Sequence, residues 1–373
     1  MTKEYDVIII GGGPAGSSLA WGLKNSGLDI LVLDKQNFPR DKVCAGWVTP
    51  EVMQLLDIDL EEYGRENVLQ PIDGFITASL GNKTVHTHYD NVVSFGIRRR
   101  EFDDYLLKRC GAPVVYGQTF KSMQRLDGTW LINDEYRARL VVGAGGHFCP
   151  VARLLGTKTG SKDNIVAAQE IEFKLTEQQK HHCLLKAEEP ELYFLKDLSG
   201  YAWAFRKGEY INIGLGREDN HKLSEHVKGF VDYLQKEGKL GFDIPDRFKG
   251  HAYILQNQSS RKIIDDGVML IGDAVGLAYP QSGEGIRPAV ESALIAADVI
   301  VHCKGNYNFS SLTDYSKRLH KRFGTPHPNK RSWLPDTIKQ KLARLLLANK
   351  WFSRKVVIEQ WFLQRHQIPL QTK

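Results

Sequence analysis

The chain has 373 residues, of which 42% are hydrophobic and 25% are charged, and its formal net charge at pH 7 is +6. These proportions are ordinary for a globular protein, and the length predicts two lobes rather than one small core. The modest net charge argues against a protein whose whole surface binds nucleic acid.

The cysteines favour a reduced protein without a structural metal site. Their number is odd, their spacing is wide and no pair forms a CxxC motif, so neither a disulfide framework nor a zinc site is predicted. The five positions are Cys44, Cys110, Cys149, Cys183 and Cys303. The sequence also opens directly on a β-branched run and holds no apolar stretch of about 18 residues. We therefore expect a cytoplasmic protein without a signal peptide, a transmembrane helix or a metal ion.

The first strong motif opens the chain and predicts a dinucleotide-binding βαβ unit. A buried strand at 6–10 leads into the GxGxxG pattern of Gly11, Gly13 and Gly16, then into a helix and a second strand that ends at Asp34. Gly11 permits a tight turn, Gly13 lets the backbone approach a pyrophosphate, and Gly16 lets the helix pack close to the strand. Asp34, about 20 residues on, is placed to bind ribose hydroxyls, and an acid there disfavours a 2′-phosphate. The alternative is a glycine-rich turn that binds no ligand. The predicted cofactor contacts of this unit are Gly11, Gly13, Pro14, Ala15, Gly16, Asp34 and Lys35.

A second strand–loop–helix motif occurs later in the chain. A buried strand at 268–271 ends in Gly272 and Asp273, and a P-x-x-G-E-G loop leads into a helix from about Ile286. The pair of motifs resembles the glutathione-reductase-like FAD superfamily, and within it the branch of aromatic hydroxylases and geranylgeranyl reductases. The alternative is a buried strand–turn–helix with a capping aspartate.

The resemblance implies FAD as the cofactor and assigns contacts to the second motif. In that branch the aspartate binds the ribityl chain, and the helix N-terminus after the loop points at the pyrimidine edge of the flavin. Such an N-terminus stabilises the negative charge that a reduced flavin carries there. By resemblance, the contacts of the second motif are Gly272, Asp273, Gly283, Gly285 and Ile286.

Two more segments resemble the same branch. An R-x-x-F-D-x-x-L pattern begins at Arg99, and the resemblance implies that this arginine contacts FAD. A later buried strand is followed by Ala144, Gly145 and Gly146, where the family has an A-D-G turn. Ala144 and Gly145 are therefore implied as cofactor contacts, but the aspartate is missing and Cys149 replaces a common serine.

The loop after the second strand resembles the geranylgeranyl reductase family in particular. Its K-x-C-x-G-x-x-x-P pattern consists of Lys42, Cys44, Gly46 and Pro50. The second family signature, a Y-x-W-x-F strand followed by a G-x-G strand, consists of Tyr201, Trp203, Phe205, Gly214 and Gly216. Arg206 stands where the family usually has proline.

The chemistry implied by this resemblance is the reduction of an isolated double bond. One carbon takes a hydride, which reduced FAD supplies from N5, and the other takes a proton. A free thiol is mostly protonated at neutral pH, so Cys44 is the candidate proton donor. The alternative role for Cys44 is that of a small buried hydrophobe. The flavin contacts implied for this loop are Cys44, Ala45 and Gly46.

The aromatic residues Tyr201, Trp203 and Phe205 alternate along a predicted strand, so their rings share one face. An aromatic face of this kind suits an isoprenoid chain, and we predict that the three side chains bind the substrate. An ordinary core strand of a second sheet would show the same pattern.

The order of elements predicts an α/β fold with a second lobe of α+β type. The first lobe is a Rossmann-like FAD-binding domain with a parallel sheet, predicted from residues 1–70, 96–164 and 261–327. It is interrupted by a substrate-binding domain with a mostly antiparallel sheet, predicted at 71–95 and 165–260 because alternating strands are separated there by turn signals. Residues 328–373 are predicted to form a C-terminal helical segment.

This C-terminal segment contains a basic amphipathic helix. Its apolar stripe consists of Ile338, Leu342, Leu345 and Leu346. Its remaining faces carry Lys339, Lys341, Arg344, Lys350, Arg354 and Lys355. Such a helix, with tryptophans nearby, is typical of contact with an anionic membrane surface, here through residues 337–365. The alternative is a helix that packs on the body of the protein with its charged face in water.

The resemblance to geranylgeranyl reductases therefore implies an FAD-dependent oxidoreductase that passes a hydride from reduced flavin N5 to a double bond of a prenyl or other isoprenoid chain. The sequence shows no second GxGxxG motif, and NADPH or a ferredoxin is the expected electron donor. One alternative is an FAD-dependent monooxygenase of the hydroxylase type that acts on a small or lipophilic substrate. Another is a flavin-dependent, membrane-associated sensor without enzymatic activity. The expected partners are a lipophilic substrate and a peripheral membrane contact, without nucleic acid.

Overall fold

The computed structural model describes residues 2–157, 165–219, 221–256, 261–325 and 334–371. The strands are β1 Lys3–Ile10, β2 Ile30–Leu33, β3 Trp47–Val48, β4 Leu69–Ile72, β5 Gly74–Ser79, β6 Val85–His88, β7 Ser94–Ile97, β8 Val114–Val115, β9 Met123–Leu126, β10 Thr129–Ile132, β11 Tyr136–Gly143, β12 Ile165–Lys174, β13 Glu191–Phe194, β14 Gly200–Lys207, β15 Tyr210–Arg217, β16 Lys249–Ile254, β17 Ile264–Asp265 and β18 Val268–Leu270. The α-helices are α1 Pro14–Leu23, α2 Pro50–Leu55, α3 Leu60–Glu66, α4 Arg99–Lys108, α5 Pro150–Leu154, α6 Glu177–His181, α7 Leu223–Lys236, α8 Ile286–His302, α9 Phe309–Phe323, α10 Asp336–Leu347 and α11 Lys350–Phe352. A 3-10 turn spans Gly272–Ala274 and a π-helix spans Ser353–Phe362.

An eight-stranded sheet forms the first lobe, in the order β17-β18-β11-β1-β2-β8 with the β9–β10 hairpin added to β11. The strands from β18 to β8 run parallel. All of β2 and the last four residues of β1 and of β11 are buried and apolar, as expected for a sheet covered on both faces. The parallel core confirms the predicted Rossmann-like architecture.

The register of this sheet brings the two predicted cofactor motifs to one edge. Ile10 of β1 pairs with Leu33 of β2 and with Gly143 of β11, and Gly143 pairs with Leu270 of β18. All four strands therefore end at the same level, and the turns that follow them meet there. In open α/β sheets this carboxyl edge is where ligands bind.

A seven-stranded sheet forms the second lobe, in the order β16-β12-β15-β14-β13-β5-β6. Only the pairing of β13 with β5 is parallel among its described strands, which confirms the prediction of a mostly antiparallel sheet. Helix α7 covers one face of the sheet, where its Phe230 and Leu234 pack with Tyr193 and Ile213. The opposite face carries Trp203 and the other predicted aromatic residues.

A small third sheet, which the sequence patterns did not predict, joins the two lobes. It has the order β3-β7-β4, and Trp47 of β3 pairs with Gly96 while Val48 pairs with Phe95. Cys44 lies three residues before Trp47, so this pairing anchors one end of the cysteine loop.

The C-terminal segment lies across the aromatic face of the seven-stranded sheet. Val357, Ile358 and Phe362 of the π-helix are buried in one cluster with Trp47 and Trp203. The predicted lobe boundaries at 164 and at 327/328 fall outside the described residues, so that division stays a prediction. None of the described helices combines the length and the apolar character needed to cross a membrane.

Candidate active site

The turn between β1 and α1 is shaped by close backbone contacts at its glycines. Gly11 has a φ of +114°, and a Cβ there would lie 2.5 Å from the carbonyl oxygen of Ala144. A Cβ on Gly16 would overlap the carbonyl oxygen of Gly11. Helix α1 starts at Pro14 after Gly13, without a side-chain cap, so its first N–H groups are available to a ligand. The geometry fits the pyrophosphate of a dinucleotide.

Asp34 lies at the end of β2, facing this turn. Its Oδ2 accepts the N–H of Gly12 at 2.7 Å and its Oδ1 accepts the N–H of Gln36 at 2.8 Å. Each carboxylate oxygen keeps a second lone pair, so the buried side chain is still able to accept from a ribose hydroxyl. Lys35 is exposed beside it.

Arg40 lies beside the turn between β1 and α1, and the sequence patterns missed it. We name this turn, with Asp34 and Arg40, the cradle. Its Nη2 would lie 3.4 Å from a Cβ on Gly13 and lies 3.2 Å from Oδ2 of Asp103. Its Nη1 is buried and has no hydrogen-bond partner among the described residues. A guanidinium with an unpaired N–H beside a free helix N-terminus fits a phosphate group. The only signal in the sequence was a basic residue in the loop that follows β2.

Arg99, the predicted FAD contact on α4, is buried and bound to Asp103. Its Nε and Nη2 donate to the two oxygens of that carboxylate at 2.7 Å and 2.8 Å. Asp103 therefore holds both Arg99 and Arg40. Arg99 also interacts with the side chain of Cys44, so it connects the cradle with the cysteine loop.

The second motif packs directly on the first. Gly272 has a φ of +61°, its N–H donates to Oγ of Ser292 at 3.0 Å, and a Cβ on it would lie 2.9 Å from Cβ of Ala15. A Cβ on Gly285 would lie 3.0 Å from Oδ1 of Asp273. A side chain at Gly272 would therefore press against the first motif, and one at Gly285 would crowd the carboxylate of Asp273.

Asp273 and the α8 N-terminus lie together at this edge. Burial raises the pKa of Asp273, while the positive charges of Lys42, Arg99 and Arg261 act in the opposite direction. Helix α8 begins at Ile286 after Gly285. The N–H of Arg287 donates to Oε1 of Glu284 at 2.8 Å and Pro288 has no N–H, so Ile286 supplies the N–H of the first turn that can face an anionic ligand edge. Gly283 has a φ of +66° and leaves room for the hydroxyl of Tyr253.

The start of α5 packs closely against the Ala144–Gly145 turn. A Cβ on Gly145 would lie 3.2 Å from Cα of Cys149 and 3.2 Å from Cδ of Pro150. The start of α5 therefore occupies the space that a larger side chain at 145 would need. His147 follows in this turn, and its Nδ1 lies 3.0 Å from Nη2 of Arg261.

Cys44 is half-buried, and hydrogen bonds to backbone carbonyl groups hold its loop in place. Its Sγ lies 3.4 Å from the N–H of Gly46 and its carbonyl accepts Nδ2 of Asn212 at 3.2 Å. The carbonyl of Ala45 accepts Nζ of Lys207 at 3.0 Å. Gly46 has a φ of +69°, and a Cβ there would overlap the backbone of Ile97 and lie 2.5 Å from Nζ of Lys207.

The support beneath the Cys44 loop is a buried polar network that the sequence patterns also missed. Nζ of Lys207 donates to the carbonyl of Ile97 at 2.9 Å and to Glu172 at 2.5 Å. Nδ2 of Asn212 donates to Glu170 at 3.0 Å, and Oδ1 of Asn212 accepts the indole N–H of Trp203 at 2.7 Å. The signal was present as charged and amide residues inside otherwise apolar strands. We name Glu170, Glu172, Lys207 and Asn212 the loop-support network.

Glu170→Gln is expected to flatten the pH dependence of stability. Burial raises the pKa of Glu170 from 4.5 to about 7, although Asn212 and the Cys44 backbone partly offset this. Between the unfolded pKa of 4.5 and the folded pKa of about 7, the folded protein binds one proton more than the unfolded chain. The free energy of unfolding therefore falls as the pH rises through that window. The full loss above about pH 7 is at most about 3 kcal/mol, and glutamine avoids it while keeping an acceptor for Asn212. Urea unfolding at about pH 5 and about pH 8 measures the change in unfolding free energy between the two pH values. The same change in Glu170→Gln and in wild type would contradict the prediction.

Lys42 is not a freely solvated charge. Its Nζ lies 2.6 Å from Nε2 of His251. Burial, and then the neighbouring Arg99, lowers the pKa of Lys42 to about 8. Burial and the Lys42 charge lower the pKa of His251 to about 3, so the neutral imidazole accepts from the ammonium group. A positive charge is thus held two residues from Cys44.

A cavity of about 350 Å³ adjoins the α8 loop. Tyr201 and Trp203 line it, together with Tyr253, Pro280 and Gly283. It is bounded on its other sides by Phe194, Leu198, Ala343, Leu346, Leu347, Phe352 and Trp361. An aromatic and aliphatic lining of this kind is typical of a site for an apolar ligand.

The Y-x-W-x-F strand contributes to this cavity only in part. The Tyr201 hydroxyl donates to the carbonyl of Ser282, which ties the strand to the α8 loop. A Cβ on Gly214 would overlap the indole ring of Trp203, which explains the G-x-G strand beside it. Phe205 is buried in the same aromatic cluster but is not among the residues that line the cavity.

Comparisons with known proteins agree with the fold and with FAD as the cofactor. A protein-family model described as an FAD binding domain matches residues 4–100. An uncharacterized protein of Methanosarcina barkeri is 32% identical over 311 residues, which cover 80% of this chain and 75% of that protein. The digeranylgeranylglycerophospholipid reductase of Methanocaldococcus jannaschii is 28% identical, over 85% of this chain and 83% of that protein. The crystal structure of a geranylgeranyl bacteriochlorophyll reductase-like protein of Thermoplasma acidophilum shares the fold, with a TM-score of 0.74 and 22% identity over 96% of this chain and 92% of that chain.

The two relatives and the solved structure match 80% or more of this chain, well beyond residues 4–100. The chain belongs to the geranylgeranyl reductase family of FAD-dependent oxidoreductases.

Proposed function

We propose that this oxidoreductase reduces carbon–carbon double bonds in the prenyl chain of a lipid. The observation that carries the proposal is the apolar cavity of about 350 Å³, which has Tyr201 and Trp203 on one wall and the α8 loop on another. Its volume falls within the range of about 300–1,000 Å³ for small-molecule sites. Relatives named digeranylgeranylglycerophospholipid reductase support a prenylated lipid as the substrate class.

The residues of the cradle fit FAD as the resident cofactor. The α1 N-terminus and Arg40 would hold the pyrophosphate, and Asp34 would accept from the ribose. Asp273 would accept from the ribityl chain, and the α8 N-terminus would face the pyrimidine edge of the flavin. When bound and reduced, FAD supplies a hydride from N5 to one carbon of the double bond.

Cys44 supplies the proton that the second carbon requires. The thiol gives up its proton as the new C–H bond forms, and a thiolate remains. Arg99 and Lys42 interact with the side chain of Cys44, so two positively charged groups lie near the sulfur, and a proton returns to it from water. The loop-support network holds the backbone of Cys44 and Ala45 and thereby orients the thiol.

The electron donor, the cellular location and the membrane contact also belong to this proposal. NADPH or a ferredoxin reduces the flavin, and anaerobic flavin bleaching by each donor distinguishes them. The protein works in the cytoplasm, with residues 337–365 touching the membrane that contains its substrate. Support for this contact comes from the basic and apolar side chains of α10.

The proposed function is tested anaerobically with the FAD-loaded protein. The flavin is reduced with dithionite, a geranylgeranyl lipid is added, and flavin absorbance and product mass are followed. Reoxidation with a gain of two hydrogens per double bond is the expected result. A flavin that stays reduced until oxygen is admitted, and then hydroxylates the substrate, would instead establish the monooxygenase alternative.

A further inference from the structure

Helix α10 presents apolar side chains in two directions. Ala343, Leu346 and Leu347 line the cavity on its inner side. On its outer side Ile338, Leu342 and Leu345 are 50%, 48% and 71% exposed. These three lie at i, i+4 and i+7 and therefore share one face of the helix. Most of the predicted apolar stripe thus faces away from the protein, which the packing alternative did not expect.

The mouth of the cavity lies beside this outer face. Leu346 of α10 and Leu198 in the β13–β14 turn both line the cavity and are both exposed. Gln281 and Glu218 are further lining residues that are exposed. The opening is therefore bordered by apolar side chains on the α10 side and by two polar side chains elsewhere.

The charged side chains on and directly after α10 that lack an ion-pair partner among the described residues are positive, whereas Asp336 at the start of the helix is paired with Lys339. Lys341, Arg344 and Lys350 are exposed and form no ion pair within the part of the chain that the structure describes. Trp351, directly after Lys350, is 67% exposed. Exposed leucines, a tryptophan and unpaired basic side chains on one helical segment match the interface of an anionic bilayer.

We propose that α10 rests on an anionic bilayer with the mouth between Leu198 and Leu346 opening into it, so that a lipid chain enters the cavity directly from the membrane. We name Ile338, Leu342, Leu345 and Trp351 the outer apolar face. Direct entry avoids the cost of exposing a long apolar chain to water on its way to the cavity. The entry route rests on the proposed reduction of a prenyl lipid, whereas the membrane contact can hold without that activity.

The contact is tested with the full-length, FAD-loaded protein and sedimented vesicles. Wild type is expected to bind vesicles that contain phosphatidylglycerol and to bind pure phosphatidylcholine vesicles weakly. Leu345→Glu is expected to lower the bound fraction about tenfold, because a carboxylate replaces an inserted side chain. Leu184→Glu is the matched control, since Leu184 is 69% exposed on the second lobe away from α10, and it should bind as wild type does. Equal binding by Leu345→Glu and wild type would overturn the proposal.

The entry route is tested by presenting one prenyl lipid in two forms. Leu345→Glu should lose turnover of lipid embedded in vesicles and keep turnover of the same lipid dispersed in detergent. Equal losses in both forms, or no loss in either, would overturn direct entry.

Quenching of tryptophan fluorescence by lipids with brominated chains tests the entry route without a measurement of turnover. A chain in the cavity reaches Trp203 and Trp361, so quenching should persist in Trp351→Phe. Quenching that disappears with Trp351 would show surface contact alone and overturn direct entry. If no prenyl lipid is reduced in either form, the proposed function fails, and vesicle binding and quenching still decide the membrane proposal.

Discussion

Replacing Cys44 by alanine is expected to slow reoxidation of the reduced flavin by a prenyl lipid by about 10²–10⁴-fold, the range typical of a lost general acid. The side chain that disappears is the one whose Sγ lies beside Gly46 and interacts with Arg99. The hydrogen bond from Asn212 to the Cys44 carbonyl involves only the backbone, so the loop should keep its conformation. Flavin absorbance should therefore show normal FAD content.

Stopped-flow absorbance under anaerobic conditions measures this effect. Cys44→Ser retains a hydroxyl, which is a much weaker acid than a thiol, and should recover little of the rate. Cys303→Ala is the matched control, because Cys303 is a free, half-buried cysteine at the end of α8, and should react at the wild-type rate. A Cys44→Ala protein as fast as wild type would reduce Cys44 to a packing role.

Lys207→Met is expected to destabilise the fold by about 3–5 kcal/mol, the usual cost of removing one partner from a buried ion pair. The lysine is buried, and its Nζ donates to the carbonyls of Ala45 and Ile97 and to Glu172. After substitution two carbonyl groups lose their donor, and Glu172 retains Arg98 at 3.0 Å and a longer contact with Asn212 at 3.3 Å. The Cys44 loop would also lose the attachment of its Ala45 carbonyl to the second lobe.

Urea unfolding of the FAD-loaded protein measures this loss. Lys174→Met is the control, because Lys174 forms an exposed ion pair with Glu209 and such pairs contribute little. Adding Glu172→Gln to Lys207→Met should restore part of the stability, since it removes the undercompensated carboxylate. Unchanged stability in Lys207→Met would show that the network does not support the loop.

Several elements of this protein could be predicted from local sequence. The β1 strand, the Gly11–Gly16 turn and the start of α8 at Ile286 agree with their predicted positions. Each is specified within about ten residues, by an apolar run, by a glycine that needs positive φ or a close approach, or by a helix start. The alternation of Tyr201 and Trp203 likewise placed both side chains on one face of a strand.

The same local reasoning did not show what the faces of these strands and helices would contact. Phe205 has the alternation of its neighbours but lies beyond the cavity, because the cavity follows the α8 loop rather than the strand. The stripe of α10 was correctly identified as apolar, yet periodicity cannot tell whether such a face turns to the core or outward. That orientation depends on Leu347 and the π-helix packing on the aromatic sheet.

The sequence by itself determined the cofactor class, the two-lobe architecture and the cysteine loop, because the motifs for these are short and their chemistry needs particular residues at fixed spacing. Only the tertiary structure decided what surrounds the thiol. Asn212 and Lys207 reach the loop from strands 168 and 162 residues away along the chain. Arg40 becomes a cradle residue only because Asp103 on α4 holds it beside Gly13. Contacts of this range arise when strands and helices pack, and no local pattern records which polar side chains will then meet.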